Sequence, residues 1–342
     1  MRRSLRKRGI LGLALAVQRD LIVGGQAVLE GVMMRTPSAY AVACRRPDGE
    51  IITTAEKLPK WSDRYKLLSI PVLRGGAILV QTLLLGIKAL NFSAAVAEEK
   101  DKPSETRSRS SASVIASLVI ALGTNVLLFI LAPLVMTNLI FIGAGLIVPT
   151  DIAEDAGSIE RLMSYAKTIE IADFTTWVAF NLVDGVIRLI FFLIMIFSMS
   201  YMHDIKRIFQ YHGAEHKTVY AWERGLELTT GNAAAQRRQH PRCGTSFLMV
   251  VMMVAIVLFS VINFNEMWMN LVVRIILMPV VAGISYEIIK YATKSESGSL
   301  FSTITRPGIW LQDITTQEPD AEQLEVAIVA LEESLKLEPV GS

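Results

Sequence analysis

The chain has 342 residues, of which 52% are hydrophobic and only 19% charged. A mean hydropathy of +0.42 means more apolar surface than a soluble chain of this length buries, so composition predicts a bilayer as solvent. Intrinsic disorder, collagen-like repeats and a disulfide scaffold are excluded, and a formal net charge of +2 argues against a nucleic-acid partner.

Residues 1–20 read as a basic N-terminal extension at the membrane surface. Arg2, Arg3, Arg6, Lys7 and Arg8 precede a short apolar run, and Ala14-Leu15-Ala16 mimics a cleavage site. A secretory signal there would export the basic stretch up to Lys66, against the charges that follow. Residues 21–66 read as a small cytoplasmic β unit. The β-prone runs Tyr40 to Arg45 and Ile51 to Lys57 flank Pro47-Asp48-Gly49, where Pro presets φ and Gly accepts a positive φ.

Residues 67–97 are apolar but interrupted by Pro71, Arg74, Gly75, Gly76, Gln81, Gly86 and Lys88, and 98–113 form a polar linker. Four longer runs suit a hydrocarbon core: Val114 to Ile142 and Trp177 to Met202 in a first transmembrane hairpin (114–202), then Ser246 to Phe264 and Met267 to Tyr291 in a second (246–293). Between the hairpins lies a cytoplasmic loop, 203–245. A cytoplasmic tail, 294–342, carries an amphipathic helix from Gln323 to Leu335, announced by Pro319-Asp320.

Loop charge orients these runs. Thirteen Lys or Arg precede Leu67, four lie between Lys100 and Arg109, and seven lie between His203 and Thr245. The loop from Val148 to Phe174 instead has Arg161 and Lys167 against six acidic residues. The pattern predicts a multi-pass plasma-membrane protein with both termini cytoplasmic. Because both its flanks are basic, 67–97 is expected to be a re-entrant or interfacial helical element rather than a fifth span. The expected fold is an α-helical polytopic membrane protein with four transmembrane helices, that element, the β unit and the C-terminal helix.

All four histidines, His203, His212, His216 and His240, fall in the 203–245 loop together with Cys243. Ile208, Phe209, His212, His216 and Val219 recur at helical spacing, so the second span is expected to continue to about Glu223 and end at Gly225. His212 and His216, at i and i+4, then share one stripe, and Glu215 completes His-x-x-Glu-His, the inverted zincin pattern. His240-Pro241-Arg242-Cys243-Gly244 directly precedes the third span, whose amide-rich N-terminus favours a thiolate. Imidazole and thiolate donors suit Zn²⁺, with Fe²⁺ as the second choice. The bland alternative is a histidine pair packed in a core. His203, beside Asp204, reads as an interfacial residue, and Glu287 as a ligand, a base or a partner of Lys290 or Lys294. Asp184 and Arg188, i and i+4 within the second span, are positioned to neutralise each other, whereas Asn125 and Arg274 have no evident partner.

Gly24-Gly25-Gln26-Ala27-Val28-Leu29-Glu30-Gly31-Val32-Met33-Met34-Arg35, Tyr211-His212-Gly213-Ala214-Glu215-His216-Lys217 and His240-Pro241-Arg242-Cys243-Gly244-Thr245 closely resemble the signatures of the YqhQ family. Pro307 to Gln312 and Thr315 to Val326 look like its C-terminal signature. The resemblance runs from about Gly24 to Leu335. It implies a bacterial membrane protein of a family with no assigned function that carries a metal-dependent-enzyme label, and it supplies no reaction.

Two functions follow as expectations. The first is a metal-dependent hydrolase at the cytoplasmic membrane face: His212, His216 and Cys243 or His240 hold the ion, and Glu215 or Glu30 acts as general base. Glu30 enters because the glycines of the first motif permit a turn that brings Glu30 or Arg35 to the metal. The second is a scaffold or assembly factor for other membrane proteins, in which all four ligands, His212, His216, His240 and Cys243, staple the helices. Its docking surfaces would be 67–97 and the C-terminal helix. Three ligands leave an open position for water, whereas four close the shell.

Overall fold

The computed structural model describes residues 23–58, 73–98, 120, 123–146, 173–241, 243–262, 267–294 and 299–339. The N-terminal extension, the 98–113 linker beyond Glu98 and most of the Val148–Phe174 loop lie outside them. Four strands, β1 (Gly24–Val28), β2 (Gly31–Arg35), β3 (Ala39–Arg45) and β4 (Ile51–Lys57), come first. The helices are α1 (Leu73–Glu98), α2 (Gly123–Gly143), α3 (Phe174–Met199), α4 (His203–Glu223), α5 (Thr230–Ala234), α6 (Gly244–Ser260), α7 (Met267–Lys294), α8 (Ser299–Thr315) and α9 (Ala321–Lys336). They form two compact units: residues 1–102, 199–249 and 286–342, and residues 103–198 and 250–285.

The first unit is built on an antiparallel meander in the order β1-β2-β3-β4. Side chains alternate across its central strands, as the period of two requires. Val32, Met34 and Ala43 face a core formed with Tyr211 and Ala214 of α4 and Leu324, Ala327 and Leu331 of α9. Met33, Val42 and Cys44 face the other way, onto Leu85, Ala89 and Val96 of α1. The β3–β4 turn follows its sequence: Gly49 has φ +96° and its N–H donates to the Arg46 carbonyl. The first hairpin, β1–β2, had no comparable signal, because its glycine-rich strand reads as a turn.

Two of the expectations about helices change. The second span does not run on to Glu223: α3 stops at Met199, Met202 is extended (ψ 131°), and α4 is a separate helix. Gly225 does end α4, with φ +65° and the Leu226 N–H returning to the Ala221 carbonyl. The C-terminal helix starts with a capping box between Asp320 and Gln323, as its sequence suggests. Its apolar face, however, is buried against the sheet and α4, so it is not a free docking surface.

Among the described residues four helices are long and apolar enough to cross a membrane: Val80–Ala97 within α1, Gly123–Gly143, Phe174–Met199 and Val272–Ile289 within α7. The number matches the expectation, but the membership differs. The third expected span is α6, whose 17 residues at 1.5 Å each reach only about 26 Å. The interrupted stretch 67–97 instead yields a continuous 26-residue helix from Leu73. One side of α1 lies on the sheet, while Val80, Leu83, Leu84, Ile87 and Leu90 are exposed.

The second unit holds α2, α3, most of α6 and the first part of α7. Pro133 lacks the N–H that would close a helical bond to the Phe129 carbonyl, and α2 widens into a π turn over Leu127–Leu131. Arg188 Nη1 donates to that carbonyl at 2.9 Å, and its Nε donates to Asp184 at 2.7 Å.

Candidate metal centre

Helix α4 sets the first half of the site. His212 and His216 lie one turn apart with ring centroids 4.4 Å from each other. His212 Nδ1 sits 2.8 Å from the Thr315 carbonyl at the end of α8. His216 Nδ1 contacts the Arg238 carbonyl. A carbonyl only accepts, so both Nδ1 atoms carry the proton and both Nε2 atoms are left as lone-pair donors, the arrangement that orients histidine for a metal. His216 is 1% exposed, and its Nε2 has no hydrogen-bond partner. Burial holds its imidazole below the ordinary pKa, against the opposing pull of Cys243, which keeps it neutral.

Cys243 supplies the second half from the residue before α6. Its half-buried sulfur lies 3.1 Å from His212 Nε2, and the Thr245 N–H and hydroxyl approach it at 3.4 and 3.2 Å. Donor atoms of His212, His216 and Cys243 all lie within 4.8 Å of one another. Tetrahedral zinc holds N and S donors roughly 3.5 Å apart, so only a small adjustment separates this trio from a coordination shell.

Helix α8, which sequence periodicity did not bring out, fixes the Cys243 loop. The Gln312 side chain accepts from the His240 N–H at 2.7 Å. Its amide donates to the His240 carbonyl at 2.9 Å and to Ser246 Oγ at 3.0 Å. Gly308 lets α8 cross the start of α6, since a Cβ there would strike Ser246. The Pro307 to Gln312 motif was the available signal, and it gave no hint of what it touches.

Glu215 is 5% exposed, and its Oε2 is 3.4 Å from His216 Nε2. Burial pushes its carboxyl above the usual range, partly offset by His212, His240 and the Gly25 N–H. A Cβ on Gly25 would come 2.7 Å from Glu215 Cγ and 2.5 Å from the Met33 carbonyl. The glycine motif therefore reaches the site through Gly25, whose bare backbone lets β1 meet Glu215.

The remaining candidates are outside the cluster, with His240 beside it at 5.7 Å between its ring centroid and that of His216. His240 Nε2 points to Glu223 Oε2 at 3.3 Å, and its ring stacks edgewise on Tyr220. Glu30, at φ +48° in the β1–β2 turn, is held by two guanidinium nitrogens of Arg207, Nε at 2.6 Å and Nη2. Arg35 donates to Thr82 of α1. His203 is exposed beside Asp204 at 3.5 Å. Glu287 is not among the three clustered residues.

A family model described as "Protein of unknown function (DUF1385)" matches residues 70–337. The chain is also 34% identical over 325 residues to "Uncharacterized protein YqhQ" of Bacillus subtilis (strain 168), covering 93% of each chain. No solved structure matches. The chain belongs to this family, the one that its histidine, cysteine and glycine motifs resemble.

Proposed function

We propose that this chain is a membrane protein that holds a divalent cation through His212 Nε2, His216 Nε2 and Cys243 Sγ, and uses it for hydrolysis. The observation that carries the reading is the pair of Nδ1–carbonyl contacts, which leave two imidazole lone pairs converging with one sulfur. The borderline-soft donor set favours Zn²⁺, with Fe²⁺ next. His240, committed to Glu223, is a neighbour of the centre rather than a ligand. Three donors leave a coordination position open, which favours catalysis over a closed structural staple.

Zinc bound there supplies Lewis acidity. The chain's own residues do the rest. Glu215, its carboxyl raised above the usual range by burial and held by the Gly25 N–H, is placed to exchange a proton beside His216. Thr315 and Arg238 carbonyls hold the imidazoles in register. The basic flanking loops support a cytoplasmic position for this face, and the leucine-rich side of α1, opposite its contact with the sheet, suits an interfacial helix. In this reading the substrate arrives from the membrane surface.

Elemental analysis of the purified full chain tests the site. Wild type and Glu215→Gln should retain about one equivalent of zinc, whereas His216→Ala and Cys243→Ser should lose it; equal metal in all four refutes the reading. Cobalt substitution then separates catalysis from stapling. A hydroxamate that perturbs the cobalt d–d bands reports an open position, and an unresponsive spectrum reports a closed shell.

A further inference from the structure

Within the second unit a cavity of about 250 Å³ is lined by Asn181, Asp184, Gly185 and Arg188 of α3, by Met252 to Phe259 of α6, and by Arg274 of α7. Its ionic contents do not balance. Two guanidinium groups face one carboxylate. Arg188 donates to Asp184 and to the carbonyl that Pro133 sets free. Arg274 Nη2 donates to Asn181 Oδ1 at 3.1 Å and the group lies 5.6 Å from the Phe259 ring, yet its buried Nε has no partner. Asp184, 6% exposed, likewise keeps Oδ1 without a partner.

An uncompensated cation among apolar helices is costly, and such residues mark ligand sites. Here the cavity offers one spare positive charge with an orphaned donor, and one orphaned acceptor. A fatty carboxylate would meet the first need only. A phosphodiester that also bears a hydroxyl would meet both, its oxyanion taking the Arg274 Nε–H and its hydroxyl donating to Asp184 Oδ1. Met252, Ala255, Ile256 and Phe259 give the adjoining wall the apolar character that an acyl chain requires.

We propose that this cavity binds the headgroup of an anionic, hydroxyl-bearing phospholipid of the phosphatidylglycerol type. The site is independent of the metal centre. The small volume admits a headgroup while the chains remain in the bilayer.

Native mass spectrometry of the full chain, delipidated and then offered defined lipids, tests it. Wild type should retain phosphatidylglycerol in preference to phosphatidylcholine, and glycerol 3-phosphate, which lacks chains, should not displace it. Arg274→Gln should weaken retention about tenfold or more, the loss of one charge-assisted hydrogen bond, while Arg274→Lys keeps much of it. Wild type should also prefer phosphatidylglycerol to phosphatidic acid, and Asp184→Asn should erase that preference. Equal retention of phosphatidylcholine by wild type, a reading that needs no variant, overturns the proposal. So does unchanged retention in an Arg274→Gln protein whose thermal unfolding midpoint shows it folded. Displacement by glycerol 3-phosphate would instead assign the cavity to a soluble phosphate ester and overturn the lipid.

Discussion

Gln312 touches no metal donor, yet its replacement should be felt at the metal. Its side chain closes three buried hydrogen bonds around the segment from His240 to Ser246, and Cys243 lies inside that segment. Gln312→Leu would leave the His240 N–H unpaired, while the His240 carbonyl keeps the Cys243 N–H at 3.2 Å. For one buried orphan the cost is about 1–3 kcal/mol. Part of this falls on overall stability, and part appears as freedom of the Cys243 loop. Outer-shell losses of this kind weaken metal binding by about 10- to 100-fold. Gln312→Glu should sit between, because it still accepts from His240 N–H but no longer donates. Zinc affinity is read by competition with a fluorescent chelator, and stability by thermal denaturation at a fixed scan rate. Zinc affinity within about twofold of wild type and an unchanged midpoint for Gln312→Leu would refute the idea that α8 splints the site.

Thiol labelling should separate the two cysteines: Cys44, fully buried and with its thiol pushed up to about 12 by burial and then by Glu30, stays unlabelled in the folded chain below that pH. Cys243 should react when zinc is stripped and be protected when zinc returns. Gly25→Ala should cost about 1–3 kcal/mol by overpacking Glu215 against β1, seen as a lower thermal midpoint. Glu30→Gln should change zinc content little, since Glu30 is paired with Arg207; a large loss would bring Glu30 into the site. Burial and Glu56 raise the Tyr40 phenol to about 12. The folded state therefore holds that proton longer than the unfolded chain, and stability should fall as pH rises from about 10 to 12. Tyr40→Phe should flatten this slope in alkaline denaturation.

The sequence made the α4 stripe visible because helical spacing is a local property. It placed His212 and His216 together, and ligand chemistry pointed to Cys243. Local turn chemistry likewise disclosed the β3–β4 hairpin and the cap at Asp320. What it could not supply were choices settled by distant partners. His240 carries the same ligand chemistry as its neighbours, but its Nε2 faces Glu223 while Gln312 clasps its backbone. Glu30 stands in a glycine motif that does reach the site, though through the backbone of Gly25, since Arg207 captures the carboxylate first. Periodicity identified the amphipathic tail helix, while only the packed sheet reveals that its apolar side is already occupied.

The sheet's cover has a consequence for how the protein is made. Ser38 at the start of β3 and Glu338 beyond α9 are hydrogen-bonded across 300 positions of sequence. Strands that leave the ribosome first must therefore wait, with Val32 and Met34 bare, while every apolar helix between them is synthesised and inserted. During that interval the nascent chain presents sticky β edges to the cell's chaperones and proteases. Anything that delays the arrival of α9 lengthens that exposure, so translation stalls late in the message should endanger the oldest part of the polypeptide more than the newest.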